Sequence, residues 1–399
     1  MKTTAIICEY NPFHNGHKYL IEKAREGGAT HIMAVMGGNF LQRGECAVMD
    51  KFSRARAAVL CGVDLVIELP VVYAVSGAEG FASGAVEIIE KSGCVDEICF
   101  GTEGAGENEL AAAASLTESP NVINRCTELL HLGYSHPRAM QTALLQLGDE
   151  YKLLAKLLEK PNNTLAVEYI KALNRLNSKI QPKAVSRIAV EHNSDETCGC
   201  YASASKIRQL MADGDSSFFD YIPKQACDII KEKSKSGFCP ASVRYGEKAI
   251  LSALRRLTPE DLAQIPDVTE GLENRLYRAV RQGCSFEEII SQTKSKRYTY
   301  TRISRIIMRA YLGITRQTAG LSPQYIRVLG FNDKGAELLS KMKDSAVLPT
   351  VVSVKKDMQK LGENAKAMLQ TDILATDLYG VFTPTPMECG LDYKNKVKI

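Results

Sequence analysis

No apolar run in this sequence approaches the ~20 residues that a helix needs to cross a bilayer. A membrane-spanning protein is therefore not expected. The opening residues, Met1 to Glu9, are too short a stretch and too soon interrupted by charge to read as a secretory signal. Twelve cysteines are present, yet none forms a Cys-x-x-Cys pair. The close spacings are Cys94/Cys99 and Cys198-Gly199-Cys200, and neither matches a structural zinc pattern. Scattered thiols without a signal peptide indicate a reducing, cytoplasmic setting with free, mostly buried cysteines and no metal centre. Repeats, low-complexity segments and targeting tails are also missing. So is a strong charge of either sign: 50 Lys+Arg stand against 46 Asp+Glu, a net of +4. Taken alone, that balance argues against a polyanionic partner.

What remains is an ordinary globular composition, 45% hydrophobic and 24% charged, in a chain of 399 residues, long enough for two or three domains. The first hundred residues alternate strand and helix. Thr4–Cys8, His31–Met36, Asp64–Leu69 and Val95–Phe100 read as short apolar strands. His17–Arg25, Lys51–Cys61 and Ala82–Lys91 read as helices. Such alternation implies a parallel sheet with crossover helices, and ligands then belong at the carboxyl ends of the strands. From Glu107 to about Arg175 the pattern is helical. Ala184–Glu191 reads as one more strand, leading into a polar turn that opens a helix at Tyr201–Arg208. Beyond about Pro223 the pattern is helical again, with no clear βαβ unit before Val347–Val354. The expected architecture is α/β: a Rossmann-like domain over residues 1–225, then a mostly helical domain over 226–399.

The sharpest chemical feature is Asn11-Pro12-Phe13-His14-Asn15-Gly16-His17, directly after the first strand. Histidines three apart where a helix begins share one face, at the positive end of the helix dipole. Gly16 between them permits close approach to the backbone. This arrangement suits a phosphate that gains charge in its transition state. A metal pair would want a third ligand, and Glu9 is the only nearby carboxylate.

His14-Asn15-Gly16-His17 resembles the His-x-Gly-His signature of the nucleotidyltransferase superfamily, and Ser203-Ala204-Ser205-Lys206-Ile207-Arg208 resembles its second signature. The residues before the first histidine depart from the small adenylyltransferases. Instead Glu9–His17, Val35–Glu45, Gly62–Pro70 and Pro161–Tyr169 together resemble the bacterial tRNA(Met) cytidine acetate ligase family. That resemblance implies a Rossmann-like fold. It also implies an ATP-dependent ligase that forms acetyl-adenylate from ATP and acetate, releases pyrophosphate and acetylates N4 of the wobble cytidine of elongator tRNA(Met). The implied catalytic residues are His14, His17, Ser205, Lys206 and Arg208. The implied ATP site comprises Ile7, Cys8, Glu9, Tyr10, Asn11, Pro12, Phe13, His14, Asn15, Gly16, His17, Lys18, Tyr19 and Leu20, joined by Gly101, Asn162 and Arg187. ATP is expected to come with Mg2+.

The residues suit that chemistry. Acetate attacks a phosphate poorly unless the developing charge is neutralised, which two imidazole donors at a helix N-terminus accomplish. Lys206 and Arg208 would hold the outgoing phosphates, with a hydrogen bond from Ser205. Asn39, Gln42 and Arg43 follow the second strand and face the same crevice; Arg43 reads equally as a phosphate or acetate ligand and as a solvated loop residue. Lys51, Arg54 and Arg56 read as RNA contacts or as a solvated helix face. Asp64 and Glu68 read as magnesium ligands or as caps of neighbouring loops. His31, His131, His136 and His192 show no partner pattern and read as structural or surface residues.

The net of +4 conceals a split. Residues 1–225 carry −5 and residues 226–399 carry +9, and no acid occurs from Ile289 to Asn332. Lys294, Lys296, Arg297, Arg302, Arg305, Arg309 and Arg316 lie in that window as expected RNA contacts. Arg302, Arg305 and Arg309 share one helical face, while Ile303, Ile306, Ile307 and Ala310 supply an apolar one. Tyr298, Tyr300, Tyr311 and Tyr325 are interleaved for stacking on bases. This pattern points to an RNA partner; by the resemblance the expected partners are tRNA and acetate, with no membrane and no obligate protein partner. Two other readings compete: a small-molecule adenylyltransferase, which leaves the basic half unused, and a non-catalytic RNA-binding protein with a vestigial nucleotide pocket.

Overall fold

The computed structural model describes residues 1–187, 199–269 and 271–399, the side chain of residue 150 excepted. His192, Cys198 and the last residues expected in the fifth strand lie outside that range. Seven strands form one sheet: β1 Thr3–Cys8, β2 His31–Gly37, β3 Leu65–Leu69, β4 Glu97–Thr102, β5 Gln181–Ser186, β6 Ile326–Phe331 and β7 Thr350–Val351. Their order is β5-β4-β1-β2-β3-β6-β7. The first five strands pair in parallel, β6 runs antiparallel to β3, and β7 runs parallel to β6. The order reverses at β1, which is flanked by β2 and β4, so the crevice at the carboxyl ends of β1 and β4 is the switch point where such sheets take ligands.

Alternate residues of the strands feed two cores. Ala5, Met33, Val35, Leu65, Ile67 and Ile98 point to one face. Ile6, Cys8, Ile32, Ala34, Met36, Val66 and Cys99 point to the other. Helices Ala78–Ser92, Pro161–Arg175, Tyr300–Tyr311 and Glu363–Tyr379 cover the first face. Helices Asn15–Glu26, Lys51–Leu60, Ala204–Asp213 and Lys224–Lys235 cover the second. A small separate core, including Val122, Cys126, Leu129 and Leu144, holds the helical segment inserted between β4 and β5. Among the described residues, no helix is long and apolar enough to cross a membrane.

β6 corrects the purely helical reading of the stretch before Val347. Ile326-Arg327-Val328-Leu329-Gly330-Phe331 is short and carries an arginine, so it merges into the basic window of the sequence. In the fold Arg327 is buried and meets Glu68 and Asp392, and the strand extends the sheet past β3. The sheet therefore draws strands from both sides of residue 225. β5 also begins three residues before the expected Ala184.

The basic helix is likewise buried more deeply than a solvated face would be. Ile303, Ile306, Ile307, Met308, Arg309 and Ala310 are all buried, as are Tyr298, Tyr311 and Tyr325. Tyr300 instead donates to Glu287 Oε1 at 2.6 Å. Packing, rather than base stacking, occupies these rings. The helix is pinned by the turn after β2, where Ser304 Oγ donates to Gly44 O at 2.9 Å. Gly44 has φ +76, and a Cβ there would stand 2.4 Å from the backbone nitrogen of Arg305, so only glycine fits.

Candidate active site

β1 ends at Cys8 and the chain turns through Glu9 to Phe13 into the helix Asn15–Glu26. Tyr10 takes φ +48, a costly conformation for a bulky residue. Its buried ring packs against Phe13 at 4.8 Å and His17 at 4.9 Å between centroids. His14 is the N-cap. Its Nδ1 accepts from Gly16 N–H at 3.1 Å, and His17 Nδ1 accepts from His14 N–H at 3.2 Å. The two rings stack 3.7 Å apart. Because each Nδ1 lone pair is taken by a backbone N–H, each neutral ring carries its proton on Nε2. Burial, followed by the charges of His14 and Arg187, holds the His17 pKa well below its ordinary value, so His17 remains a neutral donor.

These imidazoles open onto a cavity of about 740 Å³, within the range for small-molecule sites. Six arginines line it (Arg43, Arg187, Arg208, Arg297, Arg302 and Arg305) against Glu9, Glu45 and Glu159. The wall thus favours a multiply charged anion. Ile7, Cys8, Glu9, Tyr10, Asn11, His14, Gly16, His17, Tyr19 and Leu20 line it from the first signature, and Ser203, Ala204, Ser205 and Arg208 from the second. Pro12 and Phe13 pack beneath the loop, Asn15 donates to Cys200 O at 2.9 Å, and Lys18 faces away, 3.8 Å from Glu22. Lys206 also lies outside the cavity wall. Its backbone N–H donates to Ser203 Oγ at 3.1 Å, which caps the helix Ala204–Asp213. Arg208 donates to Asn11 O at 3.0 Å and Ser205 Oγ at 3.3 Å, tying the two signatures together.

Gly101, Asn162 and Arg187 meet at the ends of β4 and β5. A Cβ on Gly101 would stand 3.0 Å from Arg187 Cγ, so this glycine makes room for the arginine. Arg187 follows the last residue of β5, beside Glu103, and burial lowers its pKa. Asn162 Nδ2 is buried and has no partner among the described residues, leaving a donor for a ligand. Glu9 accepts from Gln42 N–H at 2.8 Å. Burial raises its pKa against the opposing pull of that bond and of Arg208, Arg54 and Arg43.

Several expected candidates take structural roles. Arg54 is fully buried and donates to the carbonyls of Met49, Glu9, Gly37 and Gly38, bracing the ends of β1 and β2 under the cavity. Lys51 is buried between Glu68 (2.7 Å) and Asp392 (2.9 Å). Neither is an RNA contact or a solvated residue; Arg56 is exposed and pairs with Glu232 at 2.9 Å. Asp64 pairs with Arg25 and accepts from Ile32 N–H at 2.7 Å, while Glu68 serves Lys51 and Arg327. These contacts commit both carboxylates elsewhere than to magnesium. Among the described residues, no group of three His, Cys, Asp or Glu could hold a metal.

In the basic window, Arg297, Arg302 and Arg305 border the same cavity as His14 and His17. Arg302 also donates to Asp267 O at 2.8 Å, Arg309 pairs with Asp267 at 2.6 Å, and Arg316 donates to Ala263 O at 3.1 Å. Lys294 and Lys296 are exposed. His31 is buried against Thr30 and Glu337, and His131 is exposed. His136, expected to be structural or surface, is exposed and also lines the cavity. Its position depends on how the inserted helices fold back, which local sequence does not report.

The model of the HIGH Nucleotidyl Transferase family matches residues 1–392. Curated relatives include the tRNA(Met) cytidine acetate ligase of Acetivibrio thermocellus, 38% identical over 95% of this chain and 94% of the relative. That of Thermosipho melanesiensis is 34% identical over 100% and 99%. Crystal structures of Thermotoga maritima TmcAL, one apo and one bound with alpha-thio ATP, superpose with TM-scores of 0.94 and 0.92. Each is 33% identical and is covered, as this chain is, in full.

Proposed function

The chain belongs to the HIGH nucleotidyl transferase family and groups with its tRNA(Met) cytidine acetate ligases, and from that premise we propose that it joins acetate to the wobble cytidine of tRNA(Met) at the expense of ATP. The observation that carries the reading is the pair of imidazoles in the wall of an arginine-lined cavity, each with its Nδ1 engaged by a backbone N–H.

In the first step an acetate oxygen attacks the α-phosphorus of ATP and pyrophosphate leaves. His14 and His17 donate to the α-phosphate oxygens, where charge develops. Arg208, with Ser205, takes the departing phosphates. Gly101, Asn162 and Arg187 hold the nucleoside end, the orphaned Asn162 Nδ2 donating to it. Magnesium would ride on the ATP phosphates and offset their charge, since the cavity's carboxylates are few and Glu9 already has its partners. In the second step the cytosine N4 attacks the acetyl carbonyl carbon and AMP leaves. Arg297, Arg302 and Arg305 border the cavity where the anticodon would enter, and Lys294 and Lys296 extend that basic rim outward. Residues 1–225 thus supply the activating machinery, and residues 226–399 supply the RNA edge of the same cavity. The cytoplasm, where tRNA is modified and thiols stay reduced, is the compartment we infer.

The test is direct: incubate the protein with ATP and labelled acetate, with and without tRNA, and follow label into RNA. Label in cytidine of tRNA(Met) supports the proposal. A well-folded protein that acetylates no tRNA overturns it.

A further inference from the structure

We propose that His136 is the general base of the acyl-transfer step, an inference that rests on the function proposed above. The step has a proton to dispose of. The N4 lone pair forms a bond to the acetyl carbonyl carbon, and the carbon–oxygen bond to the adenylate breaks with its electron pair going to AMP. The nitrogen must then lose one proton, and AMP leaves as a phosphate that does not need it.

The signature histidines cannot take that proton. Their Nδ1 lone pairs accept backbone N–H groups at 3.1 and 3.2 Å, and their Nε2 atoms already carry hydrogens. Glu9 is committed to Gln42 N–H and stands among three arginines. Glu45 faces Arg208. Glu159 accepts from Gln141 Nε2 at 2.5 Å.

His136 differs from all of these. It is the remaining imidazole in the cavity wall among the described residues. It begins the helix His136–Leu145 on the inserted helical segment, where it is an exposed residue of the cavity wall. No hydrogen bond engages its ring among the described residues, so one ring nitrogen has a free lone pair. The groups facing it are Glu79 on helix Ala78–Ser92, Glu168 and Lys171 on helix Pro161–Arg175, and Arg302 on helix Tyr300–Tyr311. The crowding of these walls outweighs the two carboxylates and lowers its pKa from the ordinary value, so at neutral pH the ring is unprotonated and ready to accept. Arg302 belongs to the basic rim where the RNA would enter, which places His136 on the side of the cavity that the cytidine reaches.

Supplying preformed acetyl-adenylate to the full-length protein with tRNA isolates the second step, while acetate-dependent ATP–pyrophosphate exchange reports the first. In His136→Ala and His136→Gln, transfer should fall by about 10²–10⁴-fold, with exchange changed by less than threefold. Imidazole in solution should restore the alanine variant. The acid-side rise of transfer with pH, present in the wild type, should vanish in both variants. Wild-type transfer rates in the variants, an equal loss of both steps, absence of imidazole rescue, or survival of the acid-side rise would each overturn the assignment. A wild-type protein that performs exchange yet never acetylates tRNA would instead overturn the proposed function, and this inference with it.

Discussion

The backbone N–H of His14 donates to Nδ1 of His17 at 3.2 Å, so the second signature histidine caps the helix that the first one begins. One ring nitrogen serves the fold and the other faces the cavity. Substitutions should separate these roles. A glutamine at an N3 position can still accept the N-cap N–H, but it lacks the imidazole donor at Nε2. His17→Gln should therefore keep its resistance to urea while exchange between ATP and pyrophosphate falls by about 10²–10³-fold. His17→Ala should lose the same activity and about 1 kcal/mol of stability besides. RNA affinity should stay near wild type in both. Normal exchange in His17→Gln would remove the imidazole from the mechanism.

The same environment makes stability depend on pH. His17 has a folded pKa well below its ordinary value of 6.5, so on acidification the unfolded chain takes up the proton first. Stability then rises with pH wherever the unfolded state binds more protons. The contribution of His17 is complete above the unfolded pKa and declines as pH falls below about 6.5. Thermal melts at pH 7 and pH 5 should show a smaller loss of Tm in His17→Gln than in the wild type. An identical loss would mean that burial does not keep this ring neutral.

The parallel sheet, the loops at the carboxyl ends of its strands and the paired signatures were legible because each rests on local pattern: short apolar strands, turn residues, and histidines spaced for one helix face. Gly101 entered through the family resemblance, and in the fold the group that approaches it is Arg187. Charge signs were legible as well, but charge environments were not. Arg54, Lys51 and Arg327 look like surface cations in sequence and are buried in the fold. Their partners are brought to them by the fold rather than by neighbouring helical positions, as Asp392 is to Lys51. The strand β6 and the cavity position of His136 escaped for the same reason: both are set by long-range packing.

The cations of the basic window fall into two kinds. Lys294 and Lys296 are exposed, whereas Arg309 is buried against Asp267. Lys294→Gln and Lys296→Gln should each weaken tRNA binding and reduce the slope of log K against log salt by about 1. Exchange between ATP and pyrophosphate should be unaffected. Arg309→Ala should lower Tm and leave the salt slope as it was. Filter binding over a range of salt concentrations measures the slopes. An unchanged slope in both lysine variants would move the RNA path away from this rim.

Gly101→Ala tests how Arg187 is held. The new methyl would lie 3.0 Å from Arg187 Cγ, so the side chain must shift by a few tenths of an ångström or more. If Arg187 holds the nucleotide, KM for ATP should rise about tenfold, with a smaller change in kcat, because the affected contact binds substrate and transition state alike. Arg187→Ala in the Gly101→Ala background should then cost less than it does alone, because the two changes damage the same contact. Additive effects in that double-mutant cycle would show that the glycine serves something other than the arginine.

Asp392 provides the severest test of the buried charge network. Its carboxylate meets Lys51 at 2.9 Å and also Arg327, with all three side chains 3% exposed or less. Lys51 and Arg327 in turn share Glu68, at 2.7 and 3.3 Å. The two cations hold the Asp392 pKa below its ordinary value against the opposing effect of burial. Because its folded pKa is depressed, the stability it contributes is present above the unfolded value of 3.8 and is lost as pH falls through the folded one. Asp392→Ala leaves Lys51 and Arg327 to share Glu68, with Asp372 beyond it, in a site closed to water, and removing one member of a buried pair costs about 3–5 kcal/mol. Urea unfolding at pH 7 should show that loss. Lys51→Met combined with Asp392→Leu removes one charge of each sign and should recover much of it. If the double variant is no more stable than Asp392→Ala, the cost lies in the shape of the carboxylate's site rather than in its charge.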